Sequence, residues 1–310
     1  MIRVAIVQGD AGRDATLTRT AELAAEAAQG GATIVVFPET WLPGYPIWLD
    51  VCRDVAIWDS PAVKKIFADY ASRSIDVNGA DGAALSRIAA DLNITLVIGV
   101  SERVADGPGR GTLYNSLLTY GSDGTLLNHH RKLMPTYTER IVWGAGDATG
   151  VRAVDIGGGC RIGGLICWEH WMPLTRQALH ESGEDIHVAV WPTAHDMLQV
   201  ASRHYAFEGR CFVLAAGSIM RGRDLPAELE PHPSKVPSPD AFIMRGGSAI
   251  YGPNGALIAG PIFDDPMIVF GDLDLQRVRE ESMALDVAGH YSRPDCFSFG
   301  VTTVPRRETK

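Results

Sequence analysis

A chain of 310 residues with a formal charge of −9 has no basic excess with which to hold phosphates, which argues against a nucleic-acid partner. Apolar residues make up 46% and charged residues 21%, enough for a large core in one big α/β domain or two average ones. No apolar run approaches the length of a membrane span, and Met1-Ile2-Arg3-Val4-Ala5-Ile6-Val7 runs straight into a strand pattern rather than a signal peptide, so a cytoplasmic protein is expected.

The elements alternate strand and helix. Arg3–Gln8 reads as a strand, and Leu17, Ala21, Ala24 and Ala28 recur at helical spacing until Gly30-Gly31. Thr33–Phe37 is a continuous apolar strand of the kind buried on both faces, and it delivers Glu39 at its carboxyl end. Ser60-Pro61 reads as an N-cap and first-turn proline ahead of Val63, Ile66, Phe67 and Tyr70. Leu85, Ile88, Ala89 and Leu92 predict a helix before the strand Ile94–Val100. Leu113–Tyr120 and Thr125–His129 flank Gly121-Ser122-Asp123-Gly124, a hairpin that ends at Lys132. Strands are predicted at Ile186–Val190 and Cys211–Ala216, with a helix through Tyr205 between them. A second hairpin joins Ser248–Tyr251 to Ala256–Ala259. Residues 221–240 hold five prolines and read as a surface arm, not a domain boundary. One domain over 1–310 is expected, with a core over about 1–295 and a tail over 296–310.

Five cysteines, scattered and without a C-x-x-C, indicate neither zinc nor a disulfide framework. Cys52, Cys160, Cys211 and Cys296 read as plain packing. Cys167 differs. Arg161–Ile166 reads as a strand and Pro173 opens a helix, so the thiol falls at a strand-to-helix turn, where N–H groups lower a thiol's pKa. Glu39 and Lys132 likewise stand just past predicted strands. A thiol, a carboxylate and an amine so placed supply a nucleophile, a general base and an electrostatic stabiliser. His129 and His130 are adjacent on a strand and point to opposite faces, so they do not chelate one ion. No metal and no cofactor are expected.

Phe37-Pro38-Glu39-Thr40, His130-Arg131-Lys132-Leu133 and Cys167-Trp168-Glu169-His170 followed by Met172-Pro173-Leu174 resemble the catalytic signatures of the nitrilase superfamily of carbon–nitrogen hydrolases, and its nitrilase branch in particular. The likeness runs from Val4-Ala5-Ile6-Val7-Gln8 to Arg293-Pro294-Asp295. It implies a four-layer α-β-β-α sandwich and a triad of Glu39, Lys132 and Cys167. It also implies a second glutamate, Glu139, orienting Lys132 and the attacking water, with Glu169 and His170 positioning the acyl-enzyme region. Tyr45, Trp48, Trp168 and Trp191 are expected around the substrate. The implied reaction turns an organic nitrile into a carboxylic acid and ammonia. An amidase, an N-carbamoyl amidohydrolase or a cyanide dihydratase would use the same triad. The resemblance further implies a homodimer or larger homo-oligomer, and the short stretch after Asp295 speaks for the dimer over a spiral.

Overall fold

The computed structural model describes residues 1–303, so the end of the tail expected over 296–310 lies outside the described residues. In chain order the elements are β1 (Ile2–Gln8), α1 (Leu17–Gln29), β2 (Ile34–Leu42), α2 (Trp48–Val51), α3 (Pro61–Arg73), α4 (Ala80–Leu92), β3 (Thr95–Arg103), β4 (Leu113–Tyr120) and β5 (Leu126–Arg131). Then come β6 (Val154–Asp155), β7 (Arg161–Ile166), α5 (Pro173–Glu181), β8 (Ile186–Val190), α6 (Asp196–Gly209) and β9 (Phe212–Ala216). The last are β10 (Ile219–Arg221), β11 (Phe242–Tyr251), β12 (Leu257–Phe263), β13 (Met267–Leu273) and α7 (Gln276–Ser282). Local chemistry sets the ends. The Ser60 side chain accepts from the Val63 N–H with Pro61 in the first turn of α3, and α1 stops at Gly30-Gly31.

The continuous apolar runs β1, β2 and β3 pair in parallel, as strands covered on both faces do. They form one sheet in the order β13-β1-β2-β3-β4-β5. The second sheet runs β10-β11-β9-β8-β7-β6, with β12 beside β11. Alternation then separates two cores. Val4, Ile6, Ile34, Val36 and Leu117 face Ile162, Val188 and Leu214 between the sheets. Ala5, Val7, Val35, Phe37 and Ile98 face the other way, onto Leu23 and Ala27 of α1 and Leu85 and Ala89 of α4. Leu179 of α5 and Ala201 and Tyr205 of α6 pack onto the second sheet. The result is the four-layer α-β-β-α sandwich.

Besides the short α2, β6 and β10, two longer elements lie where the sequence pattern was silent. Met267–Leu273 pairs along the whole of β1, from Gln8↔Met267 to Ile2↔Leu273, and Gln276–Ser282 is helical. The 221–240 arm is largely exposed, yet it is tied down where Arg53 N–H donates to Glu230 O (2.9 Å) and His232 N–H to Val51 O (2.8 Å). Among the described residues no helix is long and apolar enough to cross a membrane.

Candidate active site

Glu39 lies within β2, not beyond it, because the strand continues after an interruption. β2 pairs with β3 as far as Phe37↔Ile98 and resumes at Leu42↔Val100, so four residues, 38–41, stand opposite Gly99 alone. Thr40 takes φ 42° in this bulge, and the Glu39 side chain turns fully inside. Gly99 makes the room: a Cβ there would come within 2.6 Å of Thr40 N and 2.8 Å of Glu39 Cα. Both neighbours are backbone and cannot step aside. Gly99→Ala is therefore expected to cost about 1–3 kcal/mol of stability and to displace Glu39. Chemical unfolding and turnover of this variant would check it; wild-type values in both would mean the bulge is slack.

Lys132 extends β5, its N–H donating to Asn115 O and its carbonyl accepting from Gly146 N, each at 2.8 Å. Its ammonium is buried and donates to Glu39 Oε1 (2.9 Å) and to both oxygens of Glu139 (2.9 and 2.7 Å). Glu139 rides on the 3₁₀ turn Tyr137–Ile141. It is held there by the Thr136 N–H (2.7 Å) and the Tyr45 hydroxyl (2.9 Å). Arg140 points elsewhere, donating to Pro135 O, so Glu139 is not half of an exposed pair. Asn115 of β4 donates to Glu39 Oε1 at 2.7 Å. Glu39 Oε1 is thus doubly bonded, whereas its Oε2 is buried and unpartnered. That orphan oxygen is the free acceptor a base requires.

Cys167 ends β7 and starts the 3₁₀ turn Cys167–Trp171 with φ 53°. A side-chain-bearing residue in that region is strained and persists where the surroundings over-determine it. Glu169 supplies the constraint. Its buried carboxylate accepts from Ile166 N–H and Leu133 N–H, both at 2.8 Å, and from His130 Nε2 at 2.9 Å. One side chain thereby ties the residue before Cys167 to the residue after Lys132. His129, on the opposite face, pairs with Glu102. Carboxylate oxygens of Glu39 and Glu139 and the Cys167 sulfur all lie within 4.8 Å of one another. These three could ligate a metal ion, but the Lys132 ammonium already holds the place of the cation between the carboxylates.

Burial sets the electrostatics. It pushes Glu39 up to about 7, with Lys132 pulling down and Glu139 adding to the rise. Burial works against the Lys132 charge too, but Glu39, Cys167 and Glu139 outweigh it and its pKa rises. For Cys167 the lowering expected from turn N–H groups does not prevail. Burial, with the Glu39 charge, pushes the thiol well above its ordinary value, against the pull of Lys132 and the Trp168 N–H. The resting pair is a neutral thiol beside a carboxylate that titrates near neutrality, which suits proton transfer during attack.

A cavity of about 780 Å³ opens onto Cys167. Tyr45, Trp168, Glu139 and Glu169 reach its wall, along with Ile47, Met134, Trp171 and Met172. Trp48 instead lines a neighbouring cleft of about 550 Å³ beside Tyr45 and Lys65. Trp191 is wholly buried, bonded to Ser202 and stacked on His170 at 4.7 Å. His170 lies behind Cys167, its Nδ1 2.7 Å from Cys167 O. Sequence reasoning did not single out Asn115. Its signal was a polar side chain in the alternation of β4 on the face that pairs toward Lys132.

The sequence matches the carbon-nitrogen hydrolase family over residues 3–281. It is 40% identical over 299 residues to a bifunctional nitrilase/nitrile hydratase of Lupinus angustifolius, covering 94% of this chain and 82% of that one. It is 38% identical over 293 residues to an aliphatic nitrilase of Sinorhizobium fredii, covering 94% and 92%. In structure it is similar to a carbon-nitrogen hydrolase from Helicobacter pylori, with a TM-score of 0.69 at 19% identity over 95% of this chain and 96% of that one. With this match over most of its length, the chain belongs to the nitrilase superfamily of carbon-nitrogen hydrolases.

Proposed function

We propose that the protein is a nitrilase that hydrolyses an organic nitrile to its carboxylic acid and ammonia. The observation that carries this reading is the placement of Cys167 between the buried Glu39–Lys132–Glu139 cluster and an apolar cavity. The likeness to proteins called nitrilases supports it. The Cys167 sulfur attacks the nitrile carbon and its proton passes by way of Glu39 to the nitrogen, giving a thioimidate. Glu39 then takes a proton from a water that adds to this carbon, and ammonia leaves as the thioester forms. A second water releases the acid and returns the thiol. Lys132 opposes the negative charge that develops at each addition. Once Glu39 is protonated it holds the ammonium less strongly, which frees an N–H for the substrate. Glu139 and Tyr45 fix the lysine, and Glu169 fixes both strand ends. The chain acts as one hydrolase domain, in the cytoplasm and as a homo-oligomer, on this reading.

The wall of Ile47, Met134, Trp168, Trp171 and Met172 favours a substrate with an apolar side chain. Burying roughly 100 Å² of such surface contributes about 2.5 kcal/mol, or about tenfold to a hundredfold in kcat/KM. Cyanide offers no surface of that kind. Phenylacetonitrile is expected to surpass a short aliphatic dinitrile, with phenylacetamide and cyanide poorer still. Trp168→Ala is expected to weaken phenylacetonitrile selectively. Ammonia release across this panel decides: a preference for the amide would make the enzyme an amidase, and a preference for cyanide would discard the apolar wall.

A further inference from the structure

Beneath the nucleophile lies a buried chain of ionisable groups that the reaction above does not use. Cys167 O meets His170 Nδ1 at 2.7 Å, His170 Nε2 meets His187 Nε2 at 3.0 Å, and His187 Nδ1 meets Glu184 Oε2 at 2.8 Å. All three side chains are buried, and Tyr205 donates its hydroxyl to the other Glu184 oxygen while stacking on His187 at 3.6 Å. Gly163 of β7 keeps the space open, since a Cβ there would run into Glu184 Oε2.

Donor and acceptor counting fixes the protons. A carbonyl only accepts, so His170 Nδ1 carries the proton it gives to Cys167 O. Burial and the neighbouring His187 hold His170 well below the ordinary imidazole range, so it carries only that proton and its Nε2 accepts. His187 Nε2 must then donate. Burial opposes the Glu184 charge, but His187 and His180 outweigh it and hold the carboxyl at about 2. An ionised carboxylate only accepts, so His187 Nδ1 donates as well. Both His187 nitrogens thus face acceptors, His170 Nε2 at 3.0 Å and Glu184 Oε2 at 2.8 Å, a pattern that an imidazolium paired to Glu184 satisfies.

We propose that Glu184, His187 and His170 form a buried charge relay that polarises the Cys167–Trp168 peptide and strengthens the Trp168 N–H as donor to the reacting sulfur. The three are positioning residues; none touches the substrate. The positive charge of His187 draws on His170 Nε2, which makes its Nδ1–H a stronger donor to Cys167 O, and a carbonyl so drawn makes its own peptide N–H more acidic. That N–H acts on the sulfur. The other groups facing the relay are His180 and Arg176 of α5, Glu208 of α6 and Cys211 just before β9. His180 Nδ1 stands 3.5 Å from Glu184 Oε1, and Arg176 donates to His170 O at 3.0 Å. The proposal rests on the reading of Cys167 as nucleophile, so its test needs no nitrile.

In the ¹⁵N-histidine NMR spectrum of the full chain at neutral pH, His187 is expected to show two protonated ring nitrogens and His170 a neutral ring protonated at Nδ1. His170→Asn keeps a donor to Cys167 O but severs the link to His187. It is expected to raise the midpoint of Cys167 alkylation by iodoacetamide by about one pH unit and to slow alkylation at pH 7 about tenfold. Glu184→Gln should do the same, with His187 now neutral in the spectrum. A neutral His187 in the wild type overturns the proposal. So does a His170→Asn variant whose alkylation midpoint and rate stay within twofold of the wild type. Should Glu184→Gln not fold, the wild-type spectrum and His170→Asn decide between these results. The full pattern in a protein that hydrolyses no nitrile would uphold the relay and reject the proposed substrate.

Discussion

Cys167→Ala is expected to reduce turnover by about 10⁴-fold or more while leaving the unfolding midpoint near that of the wild type. The side chain removed is small, and the constraint on the turn comes from Glu169 and His170, which the substitution leaves in place. Cys167→Ser is expected to fail nearly as completely. Glu39 titrates at about 7, and a base of that strength is poorly matched to a hydroxyl, whose proton is held far more tightly than a thiol's. A nitrile quenched during turnover should leave an adduct on the peptide carrying Cys167. Cys160 and Cys211 should stay unmodified, since burial pushes both thiols up and neither lines the cavity that opens onto Cys167. Adducts spread over several cysteines, or ammonia release by Cys167→Ala above about one-hundredth of wild type, would remove Cys167 from the role.

The candidates for these roles were legible from the chain because strand ends are legible. Glu39, Lys132 and Cys167 each follow a predicted strand, and the strands concerned, β2 and β5 of one sheet and β7 of the other, bring the three side chains to one place. What connects the ends was not. The bulge that turns Glu39 inward depends on Gly99, sixty residues away on β3, and no local pattern announces such a pairing. Glu139 stands beside Arg140 in the sequence, and only the tertiary fold buries it against Lys132 and Tyr45. The aromatic residues show the limit most plainly. Trp48 is nine residues past Glu39, yet α2 turns it toward the neighbouring cleft. Trp191 ends a strand near the site but stacks behind His170. Closeness in sequence to a catalytic residue does not say which side of the wall a ring takes. β13 went unread for a related reason: its partner, β1, lies at the other end of the chain.

Lys132→Met and Glu39→Gln are expected to lower turnover alike, by about 10²–10⁴-fold, but to change stability with opposite dependence on pH. Folding raises the Glu39 pKa from 4.5 to about 7, so the native state binds the proton more tightly than the unfolded chain does. The stability linked to that proton is full below about pH 4.5 and is lost as pH rises through about 7. Glu39→Gln has no such proton to lose, and its melting temperature should fall less than the wild type's between pH 5 and 8. Lys132→Met removes the charge that opposes this rise and leaves buried carboxylates without their cation, a change that costs about 3–5 kcal/mol in comparable sites. Its melting temperature should therefore fall more steeply over the same range, with the best stability at the acid end. Activity runs the other way. On the proposed mechanism Glu39 must be ionised to take the thiol's proton, so kcat/KM should climb through about pH 7 and level off above it, and the residual activity of Glu39→Gln should lack that limb. Melting curves and pH–rate profiles of the three proteins check both halves. Parallel melting slopes would mean that Glu39 ionises in the folded protein as it does in water. A Lys132→Met loss of tenfold or less would leave the lysine a structural counterion to the two glutamates, with charge stabilisation falling to the Trp168 N–H alone.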